Sequence, residues 1–173
     1  MTFTARVRLI GIGIALSIFA VDQKVKSYVV ETLGLKNRGD HLDLLPFFDL
    51  TRENNYGISL GMLEANSAEM RWLLVALTGA IALFVFVWML REKAAADIAA
   101  LSLILGGALG NIRDRYTFGY VIDYADLHFG DFRPFLIFNV ADAAITIGVL
   151  IILARSLLSR EKPEAEAEVR PES

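Results

Sequence analysis

Two aspartates of this 173-residue chain stand in surroundings that call for an explanation. Asp142 lies in an apolar run, Phe135 to Ala154, broken only by Asn139, Asp142 and Thr146. A centrally placed aspartate costs roughly 2.5 to 3.5 kcal/mol to insert into a bilayer, and such residues face a polar interior and carry function. Asn139, three positions earlier, shares its helical face and can hydrogen-bond into the same pocket. Asp123 stands in Val121-Ile122-Asp123-Tyr124. A lone intramembrane aspartate fits a proton relay or an ion site equally well, so the pair is what matters. Two carboxylates brought together cannot both ionise, and one keeps its proton at neutral pH, so that one site holds a general base and a general acid. Such a dyad can activate water against a peptide carbonyl without metal, thiol or serine. No metal and no cofactor is expected.

Three further polar clusters interrupt the apolar runs. Asp22 and Lys26 are four residues apart, an order worth a few tenths of a kcal/mol as an exposed helical pair. Asn54-Asn55-Tyr56-Gly57 precedes a second glycine, Gly61, and reads either as a turn or as a place where backbone approaches a helix or a peptide. Gly106-Gly107-Ala108-Leu109-Gly110-Asn111-Ile112-Arg113-Asp114-Arg115 is the richest. Its GxxxG marks close helix packing. If the helix continues, Asn111, Asp114 and Arg115 stack on one face, as an Asp–Arg lock, as substrate contacts, or as both.

The elements that must position these residues follow from composition. The chain is 55% hydrophobic and 21% charged, with no cysteine and a net charge of −3. Zero cysteines exclude a disulfide scaffold, thiolate metal sites and a cysteine nucleophile. The weakly acidic balance argues against nucleic acid as a partner. The apolar residues concentrate in runs long enough to cross a bilayer, which predicts spans at about 7–24, 71–90, 96–113 and 135–155. The first run also has the basic start of a leader peptide, but a cut after Ala20 would leave Ile18 where a small residue is needed, so an uncleaved span is expected. Arg6 and Arg8, Arg91 and Lys93, and Arg155, Arg160 and Lys162 all fall on one side of a four-span chain, which the positive-inside rule makes cytoplasmic, with both termini. Residues 22–70, with five basic and eight acidic side chains, and 113–134 then face outward. In the outer loop 31–70, His41-Leu42-Asp43-Leu44-Leu45 and Asp49-Leu50-Thr51 alternate weakly between Pro46, Asn54 and Gly57, which predicts short strands; 64–70 predicts a helical entry to span two. Residues 1–159 form one domain, and the charged stretch 160–173 is expected to be disordered.

In order and spacing, these clusters resemble lipoprotein signal peptidase, or signal peptidase II, a family of bacterial intramembrane aspartic proteases. Asp22-Gln23 with Lys26 is similar to the family's DQxxK box, Asn55-Tyr56-Gly57 to NxG, Gly106 to Arg115 to GGAxGNxxDR, Val121 to Tyr124 to VxDF/Y, and Phe138 to Asp142 to FNxAD. The resemblance implies that Asp123 and Asp142 are catalytic, that Asn55, Gly57, Asn111, Arg115 and Asn139 bind substrate, and that Asp22, Lys26 and Asp114 give polar support. It implies a mainly α membrane protein: four transmembrane helices, a small extracytoplasmic β-cradle and a short outer helix between spans three and four. It further implies a diacylglyceryl-prolipoprotein substrate cut before its lipidated cysteine, contact with membrane lipid, inhibition by globomycin, and a site near the outer leaflet of the inner membrane. A monomer is the expectation for one four-span unit. Ile58, Ser59, Leu60 and Arg113 depart from the family pattern, which is expected to alter loop packing rather than chemistry. The rival readings are a small transporter using Asp142, Asp114 and Arg115 as a relay, and a structural subunit of a membrane complex.

Overall fold

The computed structural model describes residues 2–57 and 68–168, with side chains for 2–57 and 69–158. Four helices are long and apolar enough to cross a membrane. α1 covers Phe3–Ser27, starts at Thr2, whose hydroxyl accepts the Ala5 N–H, and runs on as a π-helical turn, Tyr28–Thr32. α2 is Ala68–Arg91, α3 is Ala95–Phe118 and α4 is Val140–Glu168. The strands β1 (His41–Leu45), β2 (Phe48–Asn55) and β3 (Val121–Leu127) form one antiparallel sheet in that order.

α3 is the centre of the bundle. Half of its apolar window is buried, against 11–22% for the other three helices, whose Leu9, Leu16, Leu73, Phe84 and Leu150 point outward as lipid-facing walls do. Glycines allow this close packing. A Cβ on Gly106 would lie 2.5 Å from the Ala15 carbonyl oxygen, and one on Gly110 2.5 Å from an Asp22 carboxylate oxygen, so the GxxxG face receives α1. Gly107, one position round the helix, meets the Ala141 carbonyl and receives α4.

Contacts at the far end match the side assigned by the basic residues. Arg8 donates to the Glu92 carbonyl in the α2–α3 turn (2.9 and 3.3 Å), and Arg155 pairs with Asp97 in the first turn of α3 (2.5 and 3.2 Å). Both α1 and α4 are thereby tied to α3 at that end. At the opposite end, Val29, Leu35, Leu50, Ile122, Tyr124 and Ala125 form a second core between the π-helical turn and the sheet.

Two differences from expectation concern the segment between α3 and α4. Residues 119–139 hold β3, not the short outer helix implied between spans three and four: Val121-Ile122-Asp123-Tyr124 pairs with β2 across Asn55↔Val121, Asn54↔Ile122 and Glu53↔Asp123. The β-branched start of this segment and the ladder offered by β2 favour strand over helix. α4 begins at Val140 rather than 135, because Phe138 exchanges backbone hydrogen bonds with Ala125 (2.8 and 3.1 Å) and holds the preceding residues extended. The backbone of α4 is helical to Glu168, within the stretch 160–173 expected to be disordered. Of the predicted entry helix, residues 64–67 lie outside the described residues and 68–70 open α2.

Candidate active site

The start of α4 sets the geometry of the site. Asn139 precedes the helix, and its Oδ1 accepts the Asp142 N–H (2.9 Å) while Asp142 Oδ2 accepts the Asn139 N–H (3.2 Å). This is a reciprocal capping box built from N-x-x-D, and it orients the Asp142 carboxylate at the positive end of the helix. Asn111 Nδ2, from α3, donates to Asp142 Oδ1 (2.8 Å).

Asp123 arrives from β3. The Ala125–Phe138 pairing places Asn139 beside the strand, and Asn139 Nδ2 donates to Asp123 Oδ1 (2.6 Å). Asn55, at the end of β2, donates through Nδ2 to the other oxygen (3.0 Å). Asp123 is 2% exposed, whereas Asp142 is partly open. Burial, and next the charge of Asp142, push the Asp123 carboxyl up to about 7, and the Asn55 and Asn139 amides only partly oppose this. One of the two acids therefore keeps a proton near neutrality.

A second polar cluster adjoins the first. Lys26 Nζ lies 2.8 Å from Asp22 and 2.7 Å from Asp114, with all three side chains no more than 2% exposed. Asp22 also accepts the Ala141 N–H of α4 (3.0 Å), and Asp114 accepts the Ile122 N–H of β3 (3.2 Å). The exposed pair expected of Asp22 and Lys26 is thus a buried triad joining α1, α3, α4 and β3. Asn111 is its joint with the dyad: Oδ1 receives Lys26 Nζ (3.3 Å) and Asn139 Nδ2 (3.3 Å).

The expected Asp114–Arg115 lock is not among the ion pairs of the described residues. Asp114 turns toward α1, and Arg115, about 100° further round the helix, donates through Nη2 to the Gly57 carbonyl (2.7 Å). Gly57 itself closes a turn by donating its N–H to Asn55 Oδ1 (3.1 Å). Asn55, Asn111 and Asn139 thus touch the dyad, while Gly57 and Arg115 hold the neighbouring loop. Arg115 Nε is buried with no partner among the described residues.

Two residues that the site list from sequence omits prove structural. Gln23 donates to Asp22 (3.0 Å), Asp114 (3.0 Å) and the Gly110 carbonyl (3.2 Å), and accepts from Arg113, which gives that family departure a partner. Its place between Asp22 and Lys26 was the available signal. Arg71, at the start of α2, donates to the carbonyls of Arg115 (2.9 Å) and Tyr116, and no sequence pattern marks it. Ile58, Ser59 and Leu60 lie outside the described residues.

The comparisons with known proteins agree with this geometry. The family described as Signal peptidase (SPase) II matches residues 14–158. The chain belongs to the signal peptidase II family. It is therefore an aspartic peptidase and a multi-pass membrane protein. The lipoprotein signal peptidase of Sphingopyxis alaskensis is 53% identical over 93% of this chain and 92% of its own length. That of Rhizorhabdus wittichii is 51% identical over the same shares. Two solved bacterial membrane enzymes share the fold of this signal peptidase II member. One has a TM-score of 0.74 at 26% identity, covering 94% of this chain and 93% of the other. The second has a TM-score of 0.71 at 30% identity, covering 85% and 92%.

Proposed function

We propose that this protein removes signal peptides from diacylglyceryl-modified prolipoproteins, cutting before the lipidated cysteine with Asp123, Asp142 and one water. The observation that carries the reading is a carboxylate pair at one end of the bundle, each acid oriented by amide donors. The unprotonated acid takes a proton from water as it attacks the scissile carbonyl. The other acid gives its proton to the developing oxyanion; when the tetrahedral intermediate collapses it takes a hydroxyl proton back, and the acid that took the water's proton passes it to the leaving amine, which restores the one-proton pair. Asn55, Asn111 and Asn139 keep the two carboxylates aligned through the exchange. Arg115 and Gly57 set the height of the loop against which the substrate peptide is laid. The substrate's acyl chains rest against the outward apolar walls of the helices, which holds the cleavage site at the membrane surface.

Both termini are cytoplasmic in this reading, the dyad lies near the outer leaflet of the inner membrane, and the monomer is the working unit. A transport relay needs ionisable groups along a path across the bilayer. The acids of α1, α3 and α4 among the described residues lie toward the helix ends: Asp22, Asp97, Asp114 and Asp142, with Glu161, Glu164, Glu166 and Glu168 in the final stretch of α4. The deciding experiment is a gel shift of a diacylated prolipoprotein incubated with the purified protein. Conversion to the shorter form, stopped by globomycin, is expected; no conversion by an inserted, folded protein overturns the proposal.

A further inference from the structure

The sequence contains two histidines, and the fold brings both to one carboxylate. His128, just beyond β3, places Nε2 2.7 Å from Asp49 Oδ2, and His41, opening β1, places Nε2 3.7 Å from the same oxygen. His41 Nε2 is also 2.6 Å from Asp43 Oδ1. Ligand atoms of His41, Asp43 and Asp49 all lie within 4.8 Å of one another. The other oxygen of Asp49 is occupied by the Leu44 N–H (3.2 Å), which orients the carboxylate.

Behind His41 lies a relay able to accept a hydrogen from its Nδ1. Thr51 has one hydroxyl hydrogen and donates it to Asp126 Oδ2 (3.2 Å), a carboxylate held in turn by Arg133 Nε (3.1 and 3.3 Å). His41 Nδ1 lies 2.9 Å from the same hydroxyl, whose oxygen is free to accept an Nδ1–H. With Nδ1 held in this way, Nε2 faces the oxygens of Asp43 and Asp49, and a metal ion can take the place of a proton there. A second group orienting Nδ1–H while Nε2 is left free is the usual arrangement of a metal-binding histidine.

We propose that His41, Asp43 and Asp49 bind one divalent transition-metal ion of the zinc class on the sheet, separate from the aspartate dyad, with His128 orienting the Asp49 carboxylate from behind. Imidazole nitrogens and carboxylate oxygens suit such an ion. Ligands at ordinary zinc distances stand about 3.3 Å apart around a tetrahedral ion, so the closest pairs spread by under 1 Å to admit it. A cavity of about 370 Å³ lined by Asp43, Asp49 and His128 supplies the entry path. The ion clamps the two strands of the β1–β2 hairpin, and the His128–Asp49 contact links it to the end of β3, the strand that carries Asp123.

The test uses untagged full-length protein in detergent, freed of metal with chelator and titrated with zinc chloride by calorimetry and thermal unfolding. One zinc per chain is expected, with a micromolar or tighter Kd and a Tm rise of several degrees. His41→Gln and His128→Gln should each weaken binding at least tenfold. Thr51→Val, which touches no ligand atom, should weaken it several-fold by freeing the His41 ring. Peptidase activity of His41→Gln in chelator should match that of the parent. The proposal is overturned by no saturable binding, or by binding of parental strength in both histidine variants.

Discussion

Two clusters of carboxylates share one end of the bundle and differ in what neutralises them. Around Lys26, two acids and one ammonium are joined by backbone N–H groups and Gln23. Around Asn139, two acids face each other's charge with neutral amides as hydrogen-bond partners, and among the described residues no cation pairs with either. A paired charge in a dry interior is a structural joint, since removing one member leaves the others uncompensated. Like charges in the same setting cannot both ionise and therefore hold a transferable proton. The chemical difference between weld and active centre comes down to one lysine.

The comparison is broken most severely at the dyad. Asp142→Asn or Asp123→Asn should lower prolipoprotein cleavage by about 10²–10⁴-fold while the protein still inserts and folds, measured by gel shift at matched protein level. Processing at the parental rate by either variant removes the dyad assignment. The weld should fail in the opposite way. Lys26→Met leaves two uncompensated carboxylates and should cost about 3–5 kcal/mol of stability, read as a lower Tm in detergent. Adding Asp22→Asn and Asp114→Asn should recover much of the loss.

Proton titration sharpens the contrast. The folded Asp123 keeps its proton up to about 7, whereas the unfolded group releases it near 3.8. The folded state thus binds more protons between those values, and this group's contribution to stability declines as pH rises through them. The slope of Tm between pH 5 and pH 8 should flatten in Asp123→Asn, and parental cleavage should decline above about pH 7 as the shared proton is lost. An unchanged slope would mean that Asp123 titrates as an ordinary carboxylate. The smallest effect is expected at Arg113, an exposed residue that donates to Gln23. Arg113→Ala should change stability by less than about 0.5 kcal/mol, and a larger loss in thermal unfolding would enrol it in the weld.

Much of this was legible in the chain because membrane insertion makes polar residues conspicuous. Asp142 announces itself inside an apolar run, and the Asn139–Asp142 capping box is a three-residue spacing that local helix geometry makes meaningful. The GxxxG face of α3 was readable for the same local reason. Asp22 and Lys26 were read as a surface pair because i,i+4 spacing says nothing of burial, and Asp114 bonds Lys26 in place of its neighbour Arg115. The strand at 121–127 owes its form to a partner strand some 70 residues earlier.

The sequence by itself determined the four spans, the common end of their basic residues and the two acids that the proposed reaction uses, since each depends on composition or on spacings within a few residues. Tertiary structure decided which acids are neutralised by Lys26, which amides orient Asp123, and that two distant histidines meet at Asp49. The charge state and bonding of a buried group depend on what the rest of the chain packs against it, and that becomes definite once helices and sheet come together.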